Sequence, residues 1–226
     1  MLVYLVRHGH GAHVGKRLPT PESPLSKQGH AEAESLIERF EGLPLTAVYS
    51  SPYPRCVDTV APLARSRKLR VTKAPGLRDV DYGRIGGRTL KSLRNSTVWH
   101  QLVTWPSAVR FPDGESLLEC HARVITAFQQ LTERHGKDDA ILVASHGDPI
   151  RFLVAHHLGV HVDTYRRLSI DPVSVSVLQI VPGWVQVRRV NETGGLQDLA
   201  PAAATPPAKT TSRTTTGRAS ASRRAR

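Results

Sequence analysis

Two short apolar runs in this chain end in a histidine. Leu2-Val3-Tyr4-Leu5-Val6 runs into Arg7-His8-Gly9, and Ala140-Ile141-Leu142-Val143-Ala144-Ser145 runs into His146-Gly147-Asp148-Pro149. A neutral imidazole offers a basic or nucleophilic nitrogen, and a neighbouring arginine offers a rigid donor fork suited to phosphate oxygens. Gly9 lets the backbone turn and approach a ligand closely. Arg55 follows a third apolar run, Thr46-Ala47-Val48-Tyr49-Ser50. If these runs are parallel strands of one sheet, Arg7, His8, Arg55 and His146 meet at one edge as an anion pocket with a nucleophile inside it. Phosphoryl transfer needs that combination, cations for the equatorial oxygens and an in-line attacking group.

The elements that would position these residues follow from periodicity and punctuation. Apolar runs of five or six residues bounded by Gly or Ser-Pro read as buried strands, and open α/β sheets bind ligands outside the carboxyl ends of their strands. Ser26 is the expected N-cap of a helix ending near Phe40, with Ala31, Ala33, Leu36, Ile37 and Phe40 on one side. A second helix is expected over about 54–65 and a further strand over 69–72. The longest periodic segment, about 115–134, carries Leu117, Leu118, Val124, Ile125, Phe128 and Leu131 as a core stripe. Pro149 suits the first turn of a helix running through His157, whose free amides would open at the strand end. Runs 173–180 and 184–190 flank Pro182-Gly183 and predict a hairpin. Segment 74–114 reads as irregular. Arg84, Arg88, Trp99 and Trp105 are candidates there for a pocket rim, the tryptophans being read as packing residues. Alternation of strand and helix predicts an α/β fold, a three-layer α/β/α domain with a mostly parallel central sheet.

A length of 226 residues suits one domain plus an appendage. The domain is expected over residues 1–195, followed by a basic tail over 196–226. From Pro201 onward the chain is Ala, Thr, Ser, Pro and Arg with no aromatic residue and no acid. Such a composition buries too little apolar surface to offset its ordering entropy, so the tail is expected to be disordered. Its six cations, from Lys209 to Arg226, are half of the net charge of +12. They read first as a solubilising extension, with nucleic acid or an anionic surface as the other partner class. No run approaches the ~18 apolar residues of a membrane span, and the N-terminus lacks the pattern of a signal peptide. Cys56 and Cys120 form no spaced framework, which fits a reducing compartment. The expectation is a cytoplasmic protein with no membrane partner, its oligomeric state left open.

Four ordered motifs carry a resemblance. Leu5-Val6-Arg7-His8-Gly9, Pro24-Leu25-Ser26 followed by Gly29, Ser50-Ser51-Pro52 with Arg55 and Thr59, and Ser145-His146-Gly147 resemble the histidine phosphatase superfamily, in its phosphoglycerate mutase-like branch, over roughly residues 2–190. The resemblance implies a phosphohistidine mechanism without metal or cofactor, acting on a small phosphorylated substrate. His8 would attack phosphorus, while Arg7, Arg55 and His146 would hold the phosphoryl oxygens. A carboxyl group would protonate the leaving oxygen and then activate water. The family's glutamate aligns with Asp79 in Leu77-Arg78-Asp79-Val80-Asp81-Tyr82-Gly83, one methylene shorter. Asp81, Glu115 and Asp148 are the other candidate acids. His10, Gly11 and Val14 also stand where the family commonly has an acid or amide, a hydroxyl and an asparagine, which implies differently tuned phosphate binding.

Other chemistries are weighed against this one. His8, His10 and His13 have the spacing of a metal-dependent hydrolase, but Ala12 stands where the second-metal ligand would be and Arg7 sets a cation beside the site. A cysteine phosphatase needs arginine six positions after its cysteine; Pro62 and Thr126 stand there instead. Ser116 and Ser145 lack a nucleophile-elbow context. Within the family, phosphatase, phosphomutase and a catalytically weakened phospho-ligand-binding member all stay open, and the short folded region favours the phosphatase.

Overall fold

The computed structural model describes residues 1–196 and Leu199. Six strands form one sheet in the order β3-β2-β4-β1-β5-β6. These are β1 (Leu2–Arg7), β2 (Ala47–Ser50), β3 (Val71–Lys73), β4 (Ala140–Ser145), β5 (Val175–Val181) and β6 (Trp184–Glu192). β1 to β4 run parallel, and β5 and β6 add an antiparallel edge through the Pro182-Gly183 turn. The α/β fold with a mostly parallel sheet is therefore the one expected.

Residue alternation along the strands explains the three layers. Val3, Leu5, Ile141 and Val143 face a core shared with Leu117, Val124, Phe128, Phe152 and Leu153 of α5 (Leu117–Thr132) and α6 (Gly147–Leu158). Tyr4, Val6, Leu142 and Ala144 face the other core, with Leu36 of α1 (Lys27–Arg39) and Val60 and Leu63 of α2 (Pro54–Ser66). Every residue of β4 is buried, as a strand covered on both faces must be.

Ser26 caps α1 as expected, its Oγ accepting from Gly29 N at 3.0 Å. α5 begins two residues later than its sequence pattern because Ser116 and Glu119 form a reciprocal capping box ahead of Leu117. The middle segment is less irregular than expected. It contains α3 (Leu90–Leu93) and α4 (Thr97–Thr104), capped by Thr89 and Ser96, both too short to impose a periodicity. β3 begins two residues beyond its expected start, where Val71, Thr72 and Lys73 pair with Val48, Tyr49 and Ser50.

The packed chain extends past residue 195. Leu196 and Leu199, placed in the tail by composition, are buried in the α1–α2 core. Arg39 ties this end down by donating to the carbonyls of Val173, Glu192 and Gly194 at 2.6–2.9 Å. The rest of the expected tail lies outside the described residues. Among the described residues, no helix is long and apolar enough to cross a membrane.

The loop after β1 crosses the start of α1 at two glycines. A Cβ on Gly29 would lie 2.2 Å from the His10 carbonyl oxygen, and one on Gly9 would lie 2.8 Å from the Gly29 oxygen. Both obstacles are backbone, so neither can step aside. Gly29→Ala is expected to lower stability by about 1–3 kcal/mol, the usual cost of overpacking. Urea unfolding checks this, and a change within ~0.5 kcal/mol, as for an indifferent surface site, would contradict the crossing.

Candidate active site

Register builds the site. Arg7 pairs with Ser145 across the β1–β4 ladder and Ser50 pairs with Ala144 across β2–β4. The next residue of each strand, His8, Ser51 and His146, therefore leaves the same sheet edge. The two imidazole rings lie edge to face with centroids 5.2 Å apart. Arg55 reaches the same edge from the first turn of α2, and Asp79 arrives from the loop after a 3-10 turn over Pro75–Leu77. Arg7, His8, Arg55 and Asp79 line one cavity of about 250 Å³. His146 is fully buried against His8.

Hydrogen bonds fix which nitrogen of His8 can react. Its Nδ1 is 2.7 Å from the Gly9 carbonyl oxygen, which only accepts, so Nδ1 carries the proton and Nε2 keeps its lone pair. The backbone is held in turn by Thr59, whose Oγ1 accepts from Gly9 N at 2.9 Å and donates to the Arg55 carbonyl at 2.6 Å. Burial above all, then His146, Arg55 and Arg7, hold the His8 pKa well below the ordinary imidazole value. His146 is held low by burial and then by Arg55 and Arg7. Its Nε2 lies 2.7 Å from Ser51 Oγ, and its Nδ1 lies 3.5 Å from Asp79 Oδ2. If the serine hydroxyl donates to Nε2, the neutral ring carries its proton on Nδ1, facing the carboxylate.

Both site arginines are anchored by backbone carbonyls. Arg7 Nη1 donates to Ile170, and Arg55 Nη1 donates to Thr20 at 2.8 Å. Arg55 Nη2 also donates to Asp79 Oδ2 at 3.0 Å, and the Tyr53 ring lies under its guanidinium at 5.0 Å. The buried Nε atoms of Arg7 and Arg55 have no hydrogen-bond partner among the described residues. Unpaired buried donors are costly, and both arginines line the cavity. The N-terminus of α6 opens at His146-Gly147 and adds its partial positive charge.

Of the four candidate acids, Asp79 alone contacts both Arg55 and His146. Glu115 is engaged by Arg123 and Arg78. Asp148 lines the cavity but is paired with Arg151 at 2.9 Å. Asp81 is exposed, accepting from Gly83 N at 2.9 Å. The metal-hydrolase reading does not assemble. His10 is paired with Glu32 on α1, His13 is exposed, and no three potential ligands converge among the described residues.

Several participants were not foreseen. Thr59, Ser51 and Gly29 were visible only as motif letters, and Tyr53 carried no signal. Trp99, read as a packing residue, lines the cavity together with Val14, Leu90 and Leu102. Trp105 is exposed, and Arg84 pairs with Asp113 at the surface. Cys56 places its sulfur 3.4 Å from His146 Nε2. Burial holds that thiol well above its ordinary pKa, so it is no nucleophile.

The chain is similar to known proteins over most of its length. The family model of the histidine phosphatase superfamily, branch 1, matches residues 3–193. A probable phosphoglycerate mutase GpmB of Citrobacter koseri is 33% identical over 193 residues, covering 81% of this chain and 89% of that protein. Phosphoserine phosphatase 1 of Hydrogenobacter thermophilus is 27% identical over 180 residues, covering 78% of this chain and 85% of its own. In three dimensions, YhfR of Bacillus stearothermophilus superposes with a TM-score of 0.80 at 22% identity, over 85% of this chain and 98% of that one. A buried histidine pair among cations at the sheet edge and a family match over nearly the whole described chain lead to one statement: this protein belongs to branch 1 of the histidine phosphatase superfamily.

Proposed function

We propose that the protein is a metal-independent phosphatase that hydrolyses a small phosphomonoester through a phosphohistidine on His8. The observation that carries the reading is the His8 Nδ1–Gly9 carbonyl hydrogen bond, which leaves Nε2 as a free lone pair in a cavity walled by Arg7 and Arg55.

In the first step the Nε2 lone pair forms a bond to phosphorus, the bond to the leaving oxygen breaks, and that oxygen takes a proton from the Asp79 carboxyl. Arg7 and Arg55 hold the equatorial oxygens, and His146 faces the developing charge. The bound phosphoryl group competes with Asp79 for Arg55, which frees the carboxyl for the leaving oxygen. In the second step water attacks phosphorus and gives a proton to Asp79. The P–N bond breaks, its electron pair returns to Nε2, and phosphate leaves.

Relatives named as probable phosphoglycerate mutases favour a second reading, in which another alcohol replaces water in the second step. Release of inorganic phosphate at the rate of substrate loss supports hydrolysis. Transfer of the phosphoryl group without phosphate release supports the mutase.

His8→Ala is expected to lose at least ~10³-fold in kcat, while a chelator leaves wild-type turnover unchanged. Asp79→Asn is expected to slow alkyl phosphates by about 10²–10⁴-fold, the usual worth of a general acid, and to slow phosphorylation by aryl phosphates with good leaving groups far less. Full activity in His8→Ala, or its loss in chelator, would overturn the proposal. Titration gives a separate check. The His8 pKa is held low by burial and the neighbouring cations, so its ring is expected to stay neutral in NMR of the free protein as pH falls through ~6.5. A His8 ring that takes up its proton at the ordinary imidazole value would contradict the electrostatic account.

A further inference from the structure

The cavity around His8 has two unlike ends. Arg7, Arg55 and His8 form the phosphoryl end. The opposite wall is made by Val14, Leu18, Leu90, Trp99 and Leu102. Leu18 and Leu90 are framed by backbone and Trp99 and Leu102 by α4, while Val14 lies in an exposed turn. The segment around Arg17 pairs antiparallel with Thr89. Leu18 N donates to the Arg88 carbonyl and Leu90 N to the Lys16 carbonyl, both at 3.0 Å. Ser96 caps α4 through Trp99 N at 3.3 Å, and Trp99 and Leu102, three residues apart, share one helix face.

Beside the Trp99 indole, the neutral polar side chains of the lining are His13, Ser23 and Tyr82; His13 is exposed and Tyr82 lies edge-on to Phe111. Ser23 lines the cavity, but its Oγ already accepts from Thr20 N at 2.9 Å. The charged residues there are Arg17 and Arg166, both exposed and neither in an ion pair among the described residues, with Arg151 paired to Asp148. Exposed cations at a mouth draw in a phosphate dianion, but they do not satisfy hydroxyls deeper in the cavity. A polyol set against Val14, Leu90 and Trp99 would leave its hydrogen bonds unmade. The volume of about 250 Å³ lies at the small end of ligand pockets, which run from roughly 300 to 1,000 Å³.

We propose that the physiological substrate is a small phosphomonoester whose alcohol presents an apolar, ring-sized body to the wall of Val14, Leu90, Trp99 and Leu102, rather than a sugar, a glycerate or serine. The inference rests on the hydrolase reading for its chemistry, and its test has a binding readout that does not.

The test compares 2-phenylethyl phosphate with phosphoserine and glycerol 3-phosphate. All three are esters of primary alcohols, so leaving-group reactivity is matched. Burial of the ring is expected to favour the phenylethyl ester by ~30-fold or more in kcat/KM. Trp99→Ala is expected to cut that ratio about 10-fold, whereas Trp99→Phe keeps it within ~3-fold, since a flat apolar ring remains. Calorimetry with the stable 2-phenylethylphosphonate against 2,3-dihydroxypropylphosphonate is expected to show the same ~30-fold preference. Turnover with equal or reversed preference overturns the inference and leaves the hydrolase reading standing. Selective phosphonate binding without turnover of any ester keeps the apolar site and overturns the hydrolase reading. Failure of both phosphonates to bind at millimolar concentration overturns the inference.

Discussion

The structure depends on the parallel ladder between β1 and β4. That ladder sets Arg7 opposite Ser145, so the next residues of the two strands, His8 and His146, are neighbours although 138 positions separate their numbers. Strand side chains alternate between faces, so a one-residue slip would exchange the two cores and carry His8 away from the pocket. The register is held by apolar burial on both faces, with every residue of β4 buried. The precision of the polar site is thus secured by the hydrophobic core beneath it.

Burial of cations is the second constraint. Arg55 is 1% exposed and Arg7 half-buried, a costly arrangement unless paired. The fold compensates through main-chain carbonyls at Ile170 and Thr20, the Asp79 carboxylate and the Tyr53 ring. Donor capacity is left over on both Nε atoms. The same desolvation that makes these cations expensive keeps His8 and His146 neutral. In the proposed mechanism one low-dielectric environment therefore prepares His8 as the nucleophile and strengthens the groups that would meet the transferring charge.

The sheet and its polar edge were legible because β1, β2 and β4 are apolar runs with a hard stop at Gly or Ser-Pro. Those stops are where Arg7, His8, Ser51 and His146 stand. α3 and α4 escaped notice because four and eight residues carry too little periodicity. Trp99 both packs against the core, as read, and lines the cavity, a double role that does not show along the chain. Leu196 and Leu199 were hidden by the polar, basic composition of the chain from Pro201 onward. Asp79 was preferred on its alignment alone; that Arg123, eight positions away, engages Glu115 is announced by no local pattern. Thr59 acts on Gly9 across the fold, and only the assembled loop reveals it.

The most direct measurement is to trap the phosphoenzyme from a radiolabelled aryl phosphate, digest it under alkaline conditions and assign the phosphorylated nitrogen by heteronuclear NMR of the labelled peptide. Because Gly9 holds the proton on Nδ1, the account predicts phosphorus on Nε2 of His8 and on no other residue. Phosphorus on Nδ1 of His8, on His146, or on any other side chain would contradict it.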